Sequence, residues 1–192
     1  MMLWKMLKRG LILCLLGSPA IGWAAFKPIR VVAPEWAGEV TCGGAHICTD
    51  DVSRTDEASA LYQEAGDFVA SVVGPFARKP VVVFCGTTDC AQLFGLNKRT
   101  AIAVGKFGIV VGPRGWKPHY LRHEMIHHRQ AEELGVLRQW RSPEWFKEGM
   151  SYALSEDPRA QLSEPWQRYR SAFEAWHERV GKDRLWERAR EL

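Results

Sequence analysis

The stretch His123-Glu124-Met125-Ile126-His127 is followed downstream by Trp145-Phe146-Lys147-Glu148-Gly149, with 20 residues between His127 and Glu148. Residues four apart on a helix lie nearly above one another, about 6 Å apart along the axis. A helical 123–127 therefore turns the imidazoles of His123 and His127 to one point, the arrangement a zinc ion asks of two ligands. Glu124 lies about 100° further round the helix, within reach of a metal-activated water but not of the metal itself. Glu148 is the candidate third ligand, because two histidines hold a metal weakly while a third ligand and one open position make a reactive site. Gly149 lacks a side chain, which predicts a close approach of its helix to the first.

The surrounding chain predicts the elements this arrangement needs. A helix runs from about Pro118 to Leu134 and stops at Gly135, a residue suited to ending helices. The next helix is announced by Ser142 as N-cap, Pro143 at the first helical position and Glu144 in the first turn, and ends by Pro158. A third follows Ser163 and Pro165, with Trp166, Tyr169, Phe173, Trp176 and Val180 on one face and Gly181 after it. Upstream, Ala60, Leu61, Ala65, Phe68, Val69 and Val72 recur at three and four, an amphipathic helix over 56–73 ended by Gly74-Pro75. The short run Ile29-Arg30-Val31-Val32 reads as a strand stopped by Pro34, and residues 35–53 as a loop. Val81-Val82-Val83-Phe84 reads as an interior strand, and Thr87 or Thr88 as the cap of a short helix through Gln92 and Phe94. Residues 100–104 and 108–111 flank Gly105-Lys106-Phe107 as a β-hairpin. The tail from Asp183 mixes Arg and Glu along a helix expected to be solvated.

Composition bounds the function. Hydrophobic residues make up 46% and charged residues 25% of 192, ordinary for a chain that builds its own core. Lys5, Lys8 and Arg9, the apolar run 11–16 and the small residues Ala24 and Ala25 follow the order of a secretory signal peptide, here residues 1–24. Residues 25–192 then form a single domain. An uncleaved anchor is the competing reading, disfavoured by the short apolar run and by Pro19. Residues 1–24 carry three basic and no acidic residues, so the formal charge of +4 falls to about +1 on their removal. A nearly neutral chain without a basic run carries no electrostatic footprint for nucleic acid. Export places Cys42, Cys48, Cys85 and Cys90 in an oxidising compartment, where two disulfides are expected, with the local pairs Cys42–Cys48 and Cys85–Cys90 preferred among three connectivities. A metal cluster of Cys42, His46 and Cys48 is the weaker reading, for want of a nearby fourth ligand.

His123-Glu124-x-x-His127 with Trp145-Phe146-Lys147-Glu148-Gly149 resembles the gluzincin metallopeptidases, whose second helix carries W-x-x-E-G. The resemblance extends over roughly residues 60–180, with its specific motifs between 123 and 152. It implies an α+β, zincin-like fold: a short β-sheet with a hairpin edge strand packed on the H-E-x-x-H helix, a glutamate-bearing helix and a C-terminal helix. It also implies Zn²⁺ held by His123, His127 and Glu148, Glu124 as general base, and hydrolysis of a peptide or protein substrate lying extended along the 108–111 strand. The compartment is periplasmic or extracellular, and no stable membrane span remains after signal cleavage. In the thermolysin branch an acidic residue four positions after the ligand glutamate supports a zinc-bound histidine; here that position is Tyr152, so such support must come from elsewhere. Tyr152, Tyr169 and His177 are the candidate oxyanion stabilisers.

Two further functions compete. One is a zinc-binding scaffold or inhibitor that does not cleave, against which the presence of Glu124 argues, since a structural zinc site has no use for a base. The other is a zinc amide hydrolase of cell-wall peptides. Trp145 and Phe146 are expected in the core, and His119 and His128 facing solvent or polar neighbours.

Overall fold

The fold is that of a computed structural model, which describes residues 26–192 apart from Ala45. Residues 1–24, expected as a signal peptide, lie outside the described residues. After Phe26 the chain does not form a strand over 29–32. Pro28 opens a 3₁₀ turn, Lys27–Val32, closed by local bonds from the Ile29 and Ala33 amides to the Phe26 and Arg30 carbonyls. A second such turn, Pro34–Ala37, follows. Val31 is buried against Gly108, where a Cβ would lie 2.6 Å from its methyl carbon. The apolar pattern at 29–32 therefore marks a plug on the sheet rather than a member of it.

Residues 35–53, expected as loop, hold two strands, β1 (Thr41–Gly43) and β2 (Ile47–Thr49). They pair antiparallel with Cys42 opposite Cys48, and the two cysteines are joined as a disulfide. A sequence of Thr, Cys and Gly has no hydrophobic alternation, so these strands leave little periodic signal. The chain then enters α1 (Thr55–Val73), whose buried positions Ala58, Tyr62, Ala65, Val69 and Val73 carry the expected helical spacing. Next come β3 (Val82–Phe84), α2 (Thr88–Leu93) with the Thr87 hydroxyl accepting from the Cys90 amide, and the hairpin strands β4 (Ala101–Ala103) and β5 (Ile109–Val111). Cys85 and Cys90 form the second disulfide, which ties the end of β3 to α2. Both cysteine pairs are consumed, which removes the Cys42, His46, Cys48 metal cluster. Two disulfides fit a non-cytoplasmic, oxidising compartment.

The sheet order is β1-β2-β3-β5-β4, with β2, β3 and β5 parallel and an antiparallel strand at each edge. Alternation sorts its interior strands. Val82, Phe84, Ile109 and Val111 face the helices, while Val83 and Val110 face Val31, Phe94 and the Cys85–Cys90 bridge. The edge beside the helical layer is β4, so the 108–111 strand is interior and cannot add a substrate strand.

The helical layer begins with α3 (Pro118–Leu134), stopped by Gly135 at φ +77. A short helix, α4 (Val136–Arg141), follows without a sequence forecast. The Ser142 hydroxyl donates back to the Arg138 carbonyl at 2.9 Å, closing α4 rather than capping the next helix. That helix is α5 (Glu144–Leu154), with Pro143 at its N-cap. Then come α6 (Trp166–Val180), stopped by Gly181, and α7 (Leu185–Ala189). The tail is docked rather than solvated: Leu185 and Ala189 are buried, and the Trp186 indole donates to the Val73 carbonyl at 2.9 Å. Phe146 is fully buried, with a tilted contact to Phe173 and an edge contact to Trp176, and Trp145 packs on Trp176. The architecture is mixed α+β. No described helix is long and apolar enough to cross a membrane.

Candidate metal site

The first two ligand candidates lie on α3, whose other face buries Leu121, Met125 and Ile126. That apolar stripe fixes the helix's rotation and leaves His123, Glu124 and His127 along the wall of a cleft of about 780 Å³. Glu148 reaches the same wall from α5, rotated by burial of Phe146, Gly149 and Met150. The Nε2 atoms of His123 and His127 are 3.2 Å apart, and each lies 3.6 Å from a Glu148 carboxylate oxygen. Tetrahedral ligands on bonds of about 2.0–2.1 Å stand about 3.3 Å from one another. The three side chains thus match the spacing that a single small cation imposes, and they form a group that can hold a metal ion.

Gly149 has a different task from the one its position suggests. A Cβ there would collide with the Tyr169 carbonyl oxygen and lie 2.9 Å from the Phe173 Cβ. The missing side chain admits α6 against α5, and α6 in turn presses the Glu148 helix from behind.

The electrostatics of the metal-free site follow from the shared contacts. Burial opposes a charge on His127, but the Glu148 carboxylate outweighs it and raises the ring to about 9. Burial likewise opposes ionisation of Glu148, and the two rings outweigh it, holding the carboxyl far below the usual carboxylate range. In such a pair of ionised carboxylate and protonated ring, a bound cation would take the place of the proton.

Support for His127 comes from Gln130, which sequence reasoning missed. Its side chain is fully buried and its Oε1 lies 3.0 Å from His127 Nδ1. The Gln130 amide nitrogen donates to the Lys147 carbonyl at 3.0 Å, so the oxygen must face the ring. An amide oxygen only accepts, hence Nδ1 carries a hydrogen and Nε2 is left for the metal. Ser151 Oγ stands 3.4 Å from the same nitrogen, and the Gln139 amide donates to the His127 carbonyl at 2.7 Å. The available signal was spacing: Gln130 is three residues beyond His127, one turn along the same face.

Glu124 projects to the edge strand. Its Oε2 accepts from the Ala103 amide at 2.7 Å. The flanking bonds from Val104 N to Gly108 O and from Gly112 N to Thr100 O turn the even-numbered residues of β4 toward β5, which leaves Ala101 and Ala103 facing outward. Of the oxyanion candidates, Tyr152 lines the cleft, with its ring 4.5 Å from that of His123. Burial, and next the Glu148 charge, push its phenol up to about 12. Tyr169 and His177 do not line the cleft: Tyr169 packs on Trp166, and His177 is stacked on Phe173. His119 lines the cleft. Of the two surroundings expected for His128, solvent or polar neighbours, it has the second: it is fully buried and donates through Nε2 to the Arg78 carbonyl at 3.0 Å, with a Glu132 oxygen at 3.4 Å.

No protein-family model, curated protein or solved structure matches this chain.

Proposed function

We propose that this chain is a zinc-dependent peptidase of gluzincin type, acting outside the cytoplasm in the periplasm or extracellular space. The observation that carries the proposal is the convergence of His123, His127 and Glu148 at 3.2–3.6 Å, beside a carboxylate, Glu124, that stands against an open sheet edge. The donor set of two imidazoles and one carboxylate is one used by hydrolytic zinc sites, and all three side chains line the open cleft. When bound there, zinc supplies Lewis acidity toward a scissile carbonyl and toward the attacking water.

The chain's own residues then have distinct tasks. Glu124 takes a proton from the water and delivers it to the leaving amine, and its bond to Ala103 holds the carboxylate at the strand where the substrate lies. An extended peptide adds to β4 through the outward Ala101 amide and carbonyl and the Ala103 carbonyl, the Ala103 amide being taken by Glu124. Tyr152, still protonated at neutral pH, is a hydrogen-bond donor for the developing oxyanion. Tyr169 and His177 have no part in this scheme.

The test couples metal content to hydrolysis of denatured casein. Glu124→Gln is expected to retain one zinc per chain and to lose roughly 10²–10⁴-fold in rate. Hydrolysis at the wild-type rate by that variant sinks the proposal. Cleavage of cell-wall peptides with casein untouched would transfer the same chemistry to an amide hydrolase, and zinc binding with neither activity would leave a scaffold.

A further inference from the structure

The cleft has two chemically different ends, and we infer that the end at Arg159 is a subsite for a substrate carboxylate. This inference rests on the peptidase proposal for its substrate class. β4 and α3 run in the same sense along the cleft. Gly115, just ahead of α3, packs on the Thr100 carbonyl just ahead of β4; Ala103 meets Glu124 midway; and Gly105 lies against Val136 beyond both elements. Past the Gly105 end, the walls are Val136, Gln139, Trp140 and Lys147; the Lys147 ammonium is neutralised by Glu144 at 2.7 Å, and Trp140 is 73% exposed. At the Thr100 end the walls are Lys98, Arg99, Tyr120 and Arg159.

Arg159 differs from an ordinary surface cation. Its Nε and Nη2 bind the two oxygens of Asp157, the first at 2.8 Å, and the Asp157 side chain is only 3% exposed. Its guanidinium carbon is 5.9 Å from the Tyr120 ring and 5.8 Å from the Tyr152 ring. One edge of the guanidinium is thus locked while the side chain remains 46% exposed, and Nη1 makes no hydrogen bond among the described residues. A guanidinium fixed in advance loses little conformational freedom on gripping a carboxylate through its remaining donors. Lys98 and Arg99, on the same wall, form no ion pair with any described residue. At the Thr100 end, among the described residues, Lys98, Arg99 and Arg159 therefore stand beside the one carboxylate of Asp157, and the surplus favours an anionic group in the substrate segment that lies toward Thr100. That group is the side chain of an aspartate or glutamate, or the terminal carboxylate of a short peptide.

Binding decides the matter apart from catalysis. The zinc-loaded Glu124→Gln protein is titrated, by tryptophan fluorescence, with heptapeptides carrying Asp at each position in turn, their Asn counterparts, and free or amidated C-termini. One charged form is expected to bind about ten- to hundredfold more tightly than its neutral counterpart. An Asp-over-Asn preference identifies an internal side chain, and a free-over-amidated preference the chain terminus. Adding Arg159→Gln is expected to abolish the preference while leaving neutral peptides within about threefold, and Arg159→Lys to keep part of it. No preference for any charged form overturns the inference, as does a preference that survives Arg159→Gln, or an equal loss for neutral and acidic peptides, which makes Arg159 structural. Failure of the peptidase proposal appears elsewhere, as an absence of hydrolysis by the wild-type protein.

Discussion

Gln130 shows how much of a candidate metal site can rest on one neutral side chain. Its amide is held by the Lys147 carbonyl from α5 and orients a ring on α3, so it ties together the two helices that supply the ligands. Gln130→Leu preserves the volume and removes both bonds. Zinc affinity measured by competition with a chromophoric chelator is expected to fall about 10–100-fold, with helical circular dichroism unchanged. Unchanged affinity would show that Ser151, 3.4 Å from the same ring nitrogen, is sufficient. His123, His127 and Glu148 were legible in the sequence as a group that can hold a metal, because imidazoles and carboxylates are metal-binding groups and helical spacing pairs the two histidines. Gln130 was not, because a glutamine has no task until its amide finds partners, and one of them, the Lys147 carbonyl, is 17 residues away.

Among the elements, the pair α5–α6 decides where Glu148 stands. Gly149 is the point of closest approach, and a Cβ there meets Tyr169 backbone, which cannot swing aside as a side chain would. Gly149→Ala is therefore expected to cost about 1–3 kcal/mol in urea denaturation. It should also weaken metal binding, because the helix must move with its ligand. A variant as stable as wild type, with the same metal affinity, would show that the two helices separate without consequence. The strong helices α1, α3 and α6 were readable from apolar periodicity and from Gly74, Gly135 and Gly181 at their ends. The three-residue strands β1 and β2 were not, since the pairing of β1 with β2, of β2 with β3, and a disulfide hold them in place of an apolar pattern. Ser142 was misassigned for a related reason: its hydroxyl is equally able to serve the helix on either side, and it serves α4.

For the molecule as a whole, the metal-free form has a stability profile with a definite sign. His127 is raised above its ordinary 6.5 to about 9, so its contribution is complete below pH 6.5 and is lost as pH rises toward 9. Glu148 is lowered from 4.5, so its contribution is present above that pH and is lost on acidification. His128 is lowered by burial, which makes its contribution present above pH 6.5 and lost as pH falls. Thermal unfolding in chelator should therefore give a maximum near pH 6.5 and a falling melting temperature from there to pH 9. Glu148→Gln should flatten the alkaline limb. With zinc bound, the limb should reverse, since the metal displaces the His127 proton. An alkaline limb that is unchanged by Glu148→Gln would refute the pairing.

The sequence by itself determined the long helices, the hairpin, a preference for the local disulfide pairs and the identity of the residues that can hold a metal, because these follow from local periodicity, local loop closure or the chemistry of single side chains. Only the tertiary structure decided which strand is the sheet edge, that Tyr152 rather than Tyr169 or His177 borders the cleft, and that Gln130 steadies His127. Each of these depends on which elements pack side by side, and that is set by the burial of apolar faces far apart in the chain.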